Sequence, residues 1–219
     1  SPYTLGLAAA AGFGASIVIA FGSFGLPVQV AVPIGAFVMT MLASGILFLF
    51  ASKRRFSSEM LVLVGIALLF IFQSLLSLVQ FISAPEVSQQ ILFWLFGSLN
   101  KATWQSLIII IVVTTICVAL LSKELWKLTA LRLGEDRAAS LGINLQVLRI
   151  KVLVLVAMMT ATAISFVGVI GFIGFIVPHI IRILVGADHR RVFPLSFIGG
   201  SLFLLWMDVL ARTIMAPKE

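Results

Sequence analysis

Few side chains in this sequence could do chemistry, and they stand in a handful of places. Gln73, Ser74, Ser77 and Gln80 interrupt an otherwise apolar run. Gln73, Ser77 and Gln80 follow an i, i+4, i+7 spacing, and Ser74 precedes Ser77 by three, so on a helix all four share one face. A polar stripe in lipid is costly, so that face should meet either a pore or a neighbouring helix through hydrogen bonds. Asp208 and Arg212 stand i, i+4 with the acid first, the better order for an intrahelical ion pair worth about 0.3–0.5 kcal/mol when exposed. Arg212 then either snorkels to the membrane interface or is held as a fixed donor fork for an acidic partner. Between two apolar runs lies Glu135-Asp136-Arg137-Ala138-Ala139-Ser140-Leu141-Gly142, a short helix signal with acids in its first turn and glycine at its end.

Other chemistry has no visible basis. The sequence holds no Walker-type phosphate loop, no paired His/Cys spacing and no HExxH. His179 and His189 have no carboxylate-rich partner set, and His179 reads as a structural residue at a helix start. No nucleophile has a base in evident reach. The expectation is a chain that is not an enzyme and binds no metal or cofactor itself. Cys117 is the sole cysteine, so no internal disulfide can form.

The elements that must position these residues are membrane helices. The 219 residues are 61% hydrophobic and 11% charged, against about 45–50% and about 25% in ordinary soluble domains. Fifteen Lys/Arg against eight Asp/Glu give a net charge of +7. These cations sit in small clusters between apolar runs, not in the dense stripe of a nucleic-acid reader. Seven runs stand out: Leu5–Phe21, Val28–Phe50, Met60–Ile82, Trp104–Leu121, Val152–Ile170, Ile173–Val185 and Phe193–Ala211. The sixth is short for ~30 Å of hydrocarbon. A shorter piece, Ile91–Leu99, reads as a re-entrant or surface helix on an outer loop. Phe24-Gly25-Leu26-Pro27 and Ser83-Ala84-Pro85-Glu86 mark turns, and Pro178 marks a possible helix start.

Charge assigns sides. Lys53, Arg54, Arg55, Lys123, Lys127, Arg132, Arg137, Arg149, Lys151, Arg190 and Arg191 fall in alternate loops, which the positive-inside rule places in the cytoplasm. The intervening loops hold only Lys101, Arg212 and Lys218. The longest cytoplasmic loop, residues 122–151, divides into an amphipathic piece over Lys123–Leu131, a turn at Leu133-Gly134, the Glu135–Leu141 helix, an αL cap at Gly142 and an N-cap at Asn144. A slim helical hairpin of this kind suits either a groove on another protein or its own bundle.

The segment Leu133-Gly134-Glu135-Asp136-Arg137-Ala138-Ala139-Ser140-Leu141-Gly142-Ile143 resembles the coupling segment of FecCD/BtuC-type permeases. These are membrane subunits of ATP-binding-cassette importers for iron–siderophores, haem and vitamin B12. Further stretches resemble the same family in order: Ser1–Gly6, Phe93-Trp94-Leu95-Phe96-Gly97-Ser98-Leu99, the run from Gly168 to Arg182 with Pro178-His179, Gly186-Ala187-Asp188-His189-Arg190-Arg191, and Asp208-Val209-Leu210-Ala211-Arg212. One departure is Leu69, apolar where many members are polar, so no ligand role is carried onto it.

The resemblance implies an all-α polytopic transmembrane bundle, with about seven spans present of a ten-span fold. One permease domain would cover 1–219, with the coupling segment 122–151 inside it. The missing spans would be the first two and the last, so the chain reads as a fragment opening at Ser1 and closing at Glu219. It further implies a second permease subunit, identical or paralogous, two cytoplasmic ATPase subunits that hydrolyse ATP, and an extracytoplasmic substrate-binding protein. The setting is a multi-pass protein in the bilayer of a bacterial inner or cytoplasmic membrane. Glu135, Asp136, Arg137, Ala138, Ala139, Ser140 and Gly142 would meet the ATPase, and Gln73, Ser74, Ser77 and Gln80 the translocation pathway. Asp208 and Arg212 would meet the binding protein. A secondary transporter or channel driven by an ion gradient is the alternative, with Asp208 its one candidate carboxylate; a membrane scaffold is a third reading.

Overall fold

The computed structural model describes residues 3–23, 25–51, 58–186 and 188–214, and these form helices and turns with no strand among them. Lys53–Arg55, Lys218 and Glu219, used above for sidedness and chain ends, lie outside the described residues, as do Ser1, Pro2, Phe24 and Ala187. The helices are α1 Leu7–Phe21, α2 Val28–Ala51, α3 Ser58–Ile82, α4 Pro85–Leu95, α5 Trp104–Ser122, α6 Leu125–Ala130, α7 Glu135–Ser140, α8 Leu145–Val167, α9 Ile173–Val185 and α10 His189–Ile214. Five of them, α2, α3, α5, α8 and α10, are long and apolar enough to cross a membrane. The other two of the seven apolar runs give shorter helices, α1 with 15 residues and α9 with 13. Such lengths rise only about 20 Å.

The chain divides into two compact units. The first holds Ser1–Ser122 and Asn144–Ile170, the second Lys123–Ile143 and Gly171–Glu219. In the first, α1 is the internal element, packed against α2, α3, α4 and α8. Its buried residues are Leu7, Ala8, Ala10, Ala11, Gly12, Gly14, Ala15 and Ser16. Apolar burial drives little in lipid, so close packing of small residues must supply the contact energy. At the crossing of α1 and α2 a side chain on Gly14 would overlap the Gly35 carbonyl and come within 2.8 Å of Met39 Cβ. A side chain on Gly35 would stand 2.7 Å from the Gly14 carbonyl oxygen. Buried hydroxyls bind their own helix: Thr40 donates to the Ala36 carbonyl and Thr162 to the Met158 carbonyl, each at 2.8 Å. Leu47, Leu68, Phe72 and Leu153 add bulk around this centre.

In the second unit α9 packs on α10, and α10 also meets α6. Gly199 of α10 brings Val177 and Ile181 of α9 within 3.5 Å of where its Cβ would lie.

Several boundaries differ from those expected. Span five begins at Leu145, not Val152, so Arg149 and Lys151 lie in its opening turns. The start is set by Asn144, whose Oδ1 accepts the Val147 N–H at 3.1 Å. The last described helix begins at His189, ahead of Phe193. Pro178 does not start a helix: α9 begins at Ile173 after Phe172 in the left-handed region, with φ +64°. Pro33, Pro178 and Pro194 each stand inside a helix, in its second turn. His179 is therefore mid-helix, its ring stacked on Phe175 with centroids 6.2 Å apart.

Candidate functional site

The loop between α5 and α8 folds as a short helical hairpin. After α6 comes a 3-10 turn over Leu131–Leu133, then Gly134 and α7. The end of α7 is a paired hydrogen-bond motif. The Gly142 N–H donates to the Ala139 carbonyl at 2.9 Å, and the Ile143 N–H to the Ala138 carbonyl at 3.2 Å. This satisfies two of the last carbonyls and requires the left-handed residue between them. Gly142 supplies it with φ +80°. Glu135, Asp136, Arg137, Ala139, Ser140 and Gly142 are exposed. Ala138, alone of the seven residues assigned to this segment, is fully buried. Glu124, ahead of α6, pairs with Lys127 at 2.8 Å.

On α3 the periodicity separates two faces. Leu68, Phe72, Leu76 and Val79 form the buried stripe. Gln73, Ser74 and Ser77 are exposed and Gln80 half-buried. The four polar residues thus lie on adjoining turns, off the packed stripe. Gln73 also lines a cavity of about 170 Å³ with Tyr3, Ala8, Ala9, Leu69, Leu76, Leu95 and Val169. Leu69 is part of its apolar wall.

Among the basic residues read as outward-facing, two are described. Lys101 Nζ donates to the carbonyls of Phe93 at 2.9 Å and Trp94 at 3.2 Å, closing the last turn of α4. Burial holds its ammonium below the ordinary lysine range. Its charge is occupied within its own loop, a role that sequence position alone did not signal. Arg212 Nη2 meets Asp208 Oδ2 at 2.7 Å, with the Arg212 side chain 53% exposed. This is the i, i+4 pair expected from the sequence, with guanidinium surface left over.

Two of the sequence motifs meet in the first unit. The Gly97 N–H donates to the Val169 carbonyl at 3.2 Å and the Ser98 N–H to the Val167 carbonyl at 2.8 Å. A Cβ on Gly168 would lie 2.7 Å from the Trp94 carbonyl oxygen, so close approach explains this glycine. No group of three or more His, Cys, Asp or Glu positioned for a metal occurs among the described residues. Asp188 and Thr129 were not singled out as a pair by the sequence, yet their side chains meet at 3.2 Å. Asp188 carried a signal as a capping residue type after Gly186; Thr129 carried none.

A family model for the FecCD transport family matches residues 1–219. The hemin transport system permease HmuU of Yersinia pestis is 34% identical over 100% of this chain and 66% of its own length. The molybdate import system permease MolB of Haemophilus influenzae is also 34% identical, over 98% of this chain and 63% of its own. A solved structure, an inward-facing conformation of a metal-chelate type ABC transporter, superposes with a TM-score of 0.88 at 32% identity, covering 98% of this chain and 68% of that one. The chain spans 62% to 66% of the length of the curated relatives first matched. With the family model matched from end to end, the chain belongs to the FecCD transport family, whose members are membrane permeases of ABC transporters.

Proposed function

We propose that this chain is the membrane-spanning part of an importer permease, moving a metal-chelate-type substrate by alternating access driven by a partner ATPase. The observation that carries this reading is the whole-chain family match joined to an all-helical bundle. In the assembly two permease subunits enclose the passage, two ATPases sit below and a binding protein docks above. The short helices α1 and α9 join the five long ones as crossings, giving seven, in a bacterial inner or cytoplasmic membrane. Arg190 and Arg191 then face the cytoplasm and Pro85–Ser88 face outward, as the positive-inside rule asks. Haem, ferric siderophores and vitamin B12 are the substrates considered; one relative's name specifies molybdate instead. An ion-gradient mechanism finds little support, because its one candidate carboxylate, Asp208, is already paired with Arg212.

In this reading α7 is the element that engages the ATPase. Ala138, Ala139 and Ser140 keep it slim, while Glu135, Asp136 and Arg137 set register at the rim. Gln73, Ser74, Ser77 and Gln80 face the translocation pathway. The exposed Arg212 guanidinium, steadied by Asp208, meets acidic residues of the binding protein and speeds encounter mainly through on-rate.

Four outcomes are expected. Vesicles holding the full importer should take up one of hemin, ferric siderophore or cyanocobalamin with ATP and without any ion gradient; uptake that needs only a gradient would reverse the assignment. Gly142→Val forces a β-branched residue into the left-handed region at about 1–2 kcal/mol, and should leave ATP hydrolysis running while uptake collapses. Normal uptake in that variant would reduce α7 to a linker. Cysteines at Ser74 and Ser77, with Cys117 replaced, should react with a hydrophilic thiol reagent in at least one transport state, whereas inertness in all states would assign the stripe to helix packing. For docking, Arg212→Glu should weaken capture of the binding protein at low salt, with the deficit shrinking as salt rises; equal capture at low salt would confine Arg212 to its own helix.

A further inference from the structure

The first backbone N–H groups of a helix have no carbonyl of their own to bind. At the start of α10 Asp188 satisfies several of them. Its Oδ1 accepts the Arg190 N–H at 2.9 Å, and its carbonyl accepts the N–H groups of Arg191 and Val192 at 3.0 and 2.9 Å. This is the capping geometry that suits aspartate. The Arg190 N–H, first among several contacts, holds the Asp188 carboxyl below the usual carboxylate range, so it stays ionised.

The remaining donor, the His189 N–H, is satisfied from elsewhere in the chain. It binds Thr129 Oγ1 at 3.2 Å, across 60 residues of sequence. Thr129 lies on α6, in the loop that carries α7. Its Oγ1 stands 3.2 Å from Asp188 Oδ1 and 3.0 Å from the Leu125 carbonyl. A hydroxyl has one proton, so it donates to one of these while accepting from His189. The ionised Asp188 is the stronger acceptor, because a charged partner shortens and strengthens the bond. One side chain of the loop is thus held by two successive residues at the start of α10, which fixes orientation as well as position. The division of the chain agrees: Lys123–Ile143 groups with Gly171–Glu219, not with α5 and α8, the helices to which it is directly joined in sequence.

We propose that Thr129 and Asp188 are positioning residues forming a rigid joint, through which a displacement of the coupling hairpin reaches α10. The inference rests on the reading of α7 as the element that engages the ATPase. If α6 were attached only through its flanking turns, a push on α7 would swing the loop and leave α10 where it was. With the joint, α6 and the first turn of α10 move as one body.

The test uses the permease assembled with its ATPase in nanodiscs, in a Cys117→Ser background, nucleotide-free and trapped with ATP and vanadate. One spin-label pair sits at Trp126 and Leu202, both exposed. A second pair, at Leu133 and Ile82, both exposed, reports motion of the hairpin that carries α7. The Leu133–Ile82 distance should change with nucleotide, while the Trp126–Leu202 distribution stays narrow and keeps its mean. Thr129→Val, which removes the hydroxyl at nearly constant shape, should widen the Trp126–Leu202 distribution roughly twofold, as for a locally loosened element. Thr129→Ser should restore it. If Leu133–Ile82 moves but Trp126–Leu202 shifts with it in the parent protein, or is unaltered by Thr129→Val, the joint is refuted and the coupling reading stands. If Leu133–Ile82 does not respond to nucleotide, the coupling reading fails and takes the joint with it.

Discussion

Every peptide group that leaves water for hydrocarbon must find its partner inside the protein, and the architecture here follows from how each helix end meets that demand. Asn144 caps α8 with its own side chain. Pro85 opens α4 at a position where a missing N–H costs nothing. Lys101 reaches back to the last carbonyls of α4. Gly142 closes α7 through its left-handed turn. The start of α10 is served by Asp188 and by Thr129 from the loop. Where such an end meets lipid the bond is obligatory; in the loop, as at Gly142, it fixes one element against the next.

The same demand explains why the polar residues are few and local. Buried hydroxyls such as Thr40 and Thr162 bind carbonyls of their own helices. What holds α1 among α2, α3, α4 and α8 is then contact between small side chains, with Gly14 and Gly35 letting two backbones approach. The result is an interior whose elements fit closely and whose loop hairpin is tied to one helix by directed hydrogen bonds. Such an arrangement suits a protein that moves as a few rigid bodies and not by gradual deformation.

Much of this was legible in the sequence. Apolar run lengths located the long helices, and loop chemistry located the helical hairpin, its Gly142 turn and the Asn144 cap. The i, i+4 spacing of Asp208 and Arg212 led directly to their ion pair. Helix starts were less legible. Hydropathy marks where apolar residues begin, whereas α8 and α10 begin earlier, at caps among charged residues whose long stems tolerate the interface. Pro178 misled because proline suits a first turn, yet α9 continues through it from Ile173. Which side of α7 is buried was not legible, because a helix this short shows too few turns to define it; Ala138 marks that side. Thr129 was invisible: a threonine on an amphipathic piece has no pattern that announces a partner 60 residues away.

The central claim is that the exposed face of α7 is where an ATPase engages this permease. The direct measurement is site-specific photocrosslinking in the assembled importer, with the reactive group placed at Ser140 on α7 or at Gln89 on α4, both exposed. The account predicts a covalent adduct with the ATPase subunit from Ser140 and none from Gln89. No ATPase adduct from Ser140, or equal adducts from both positions, would contradict it.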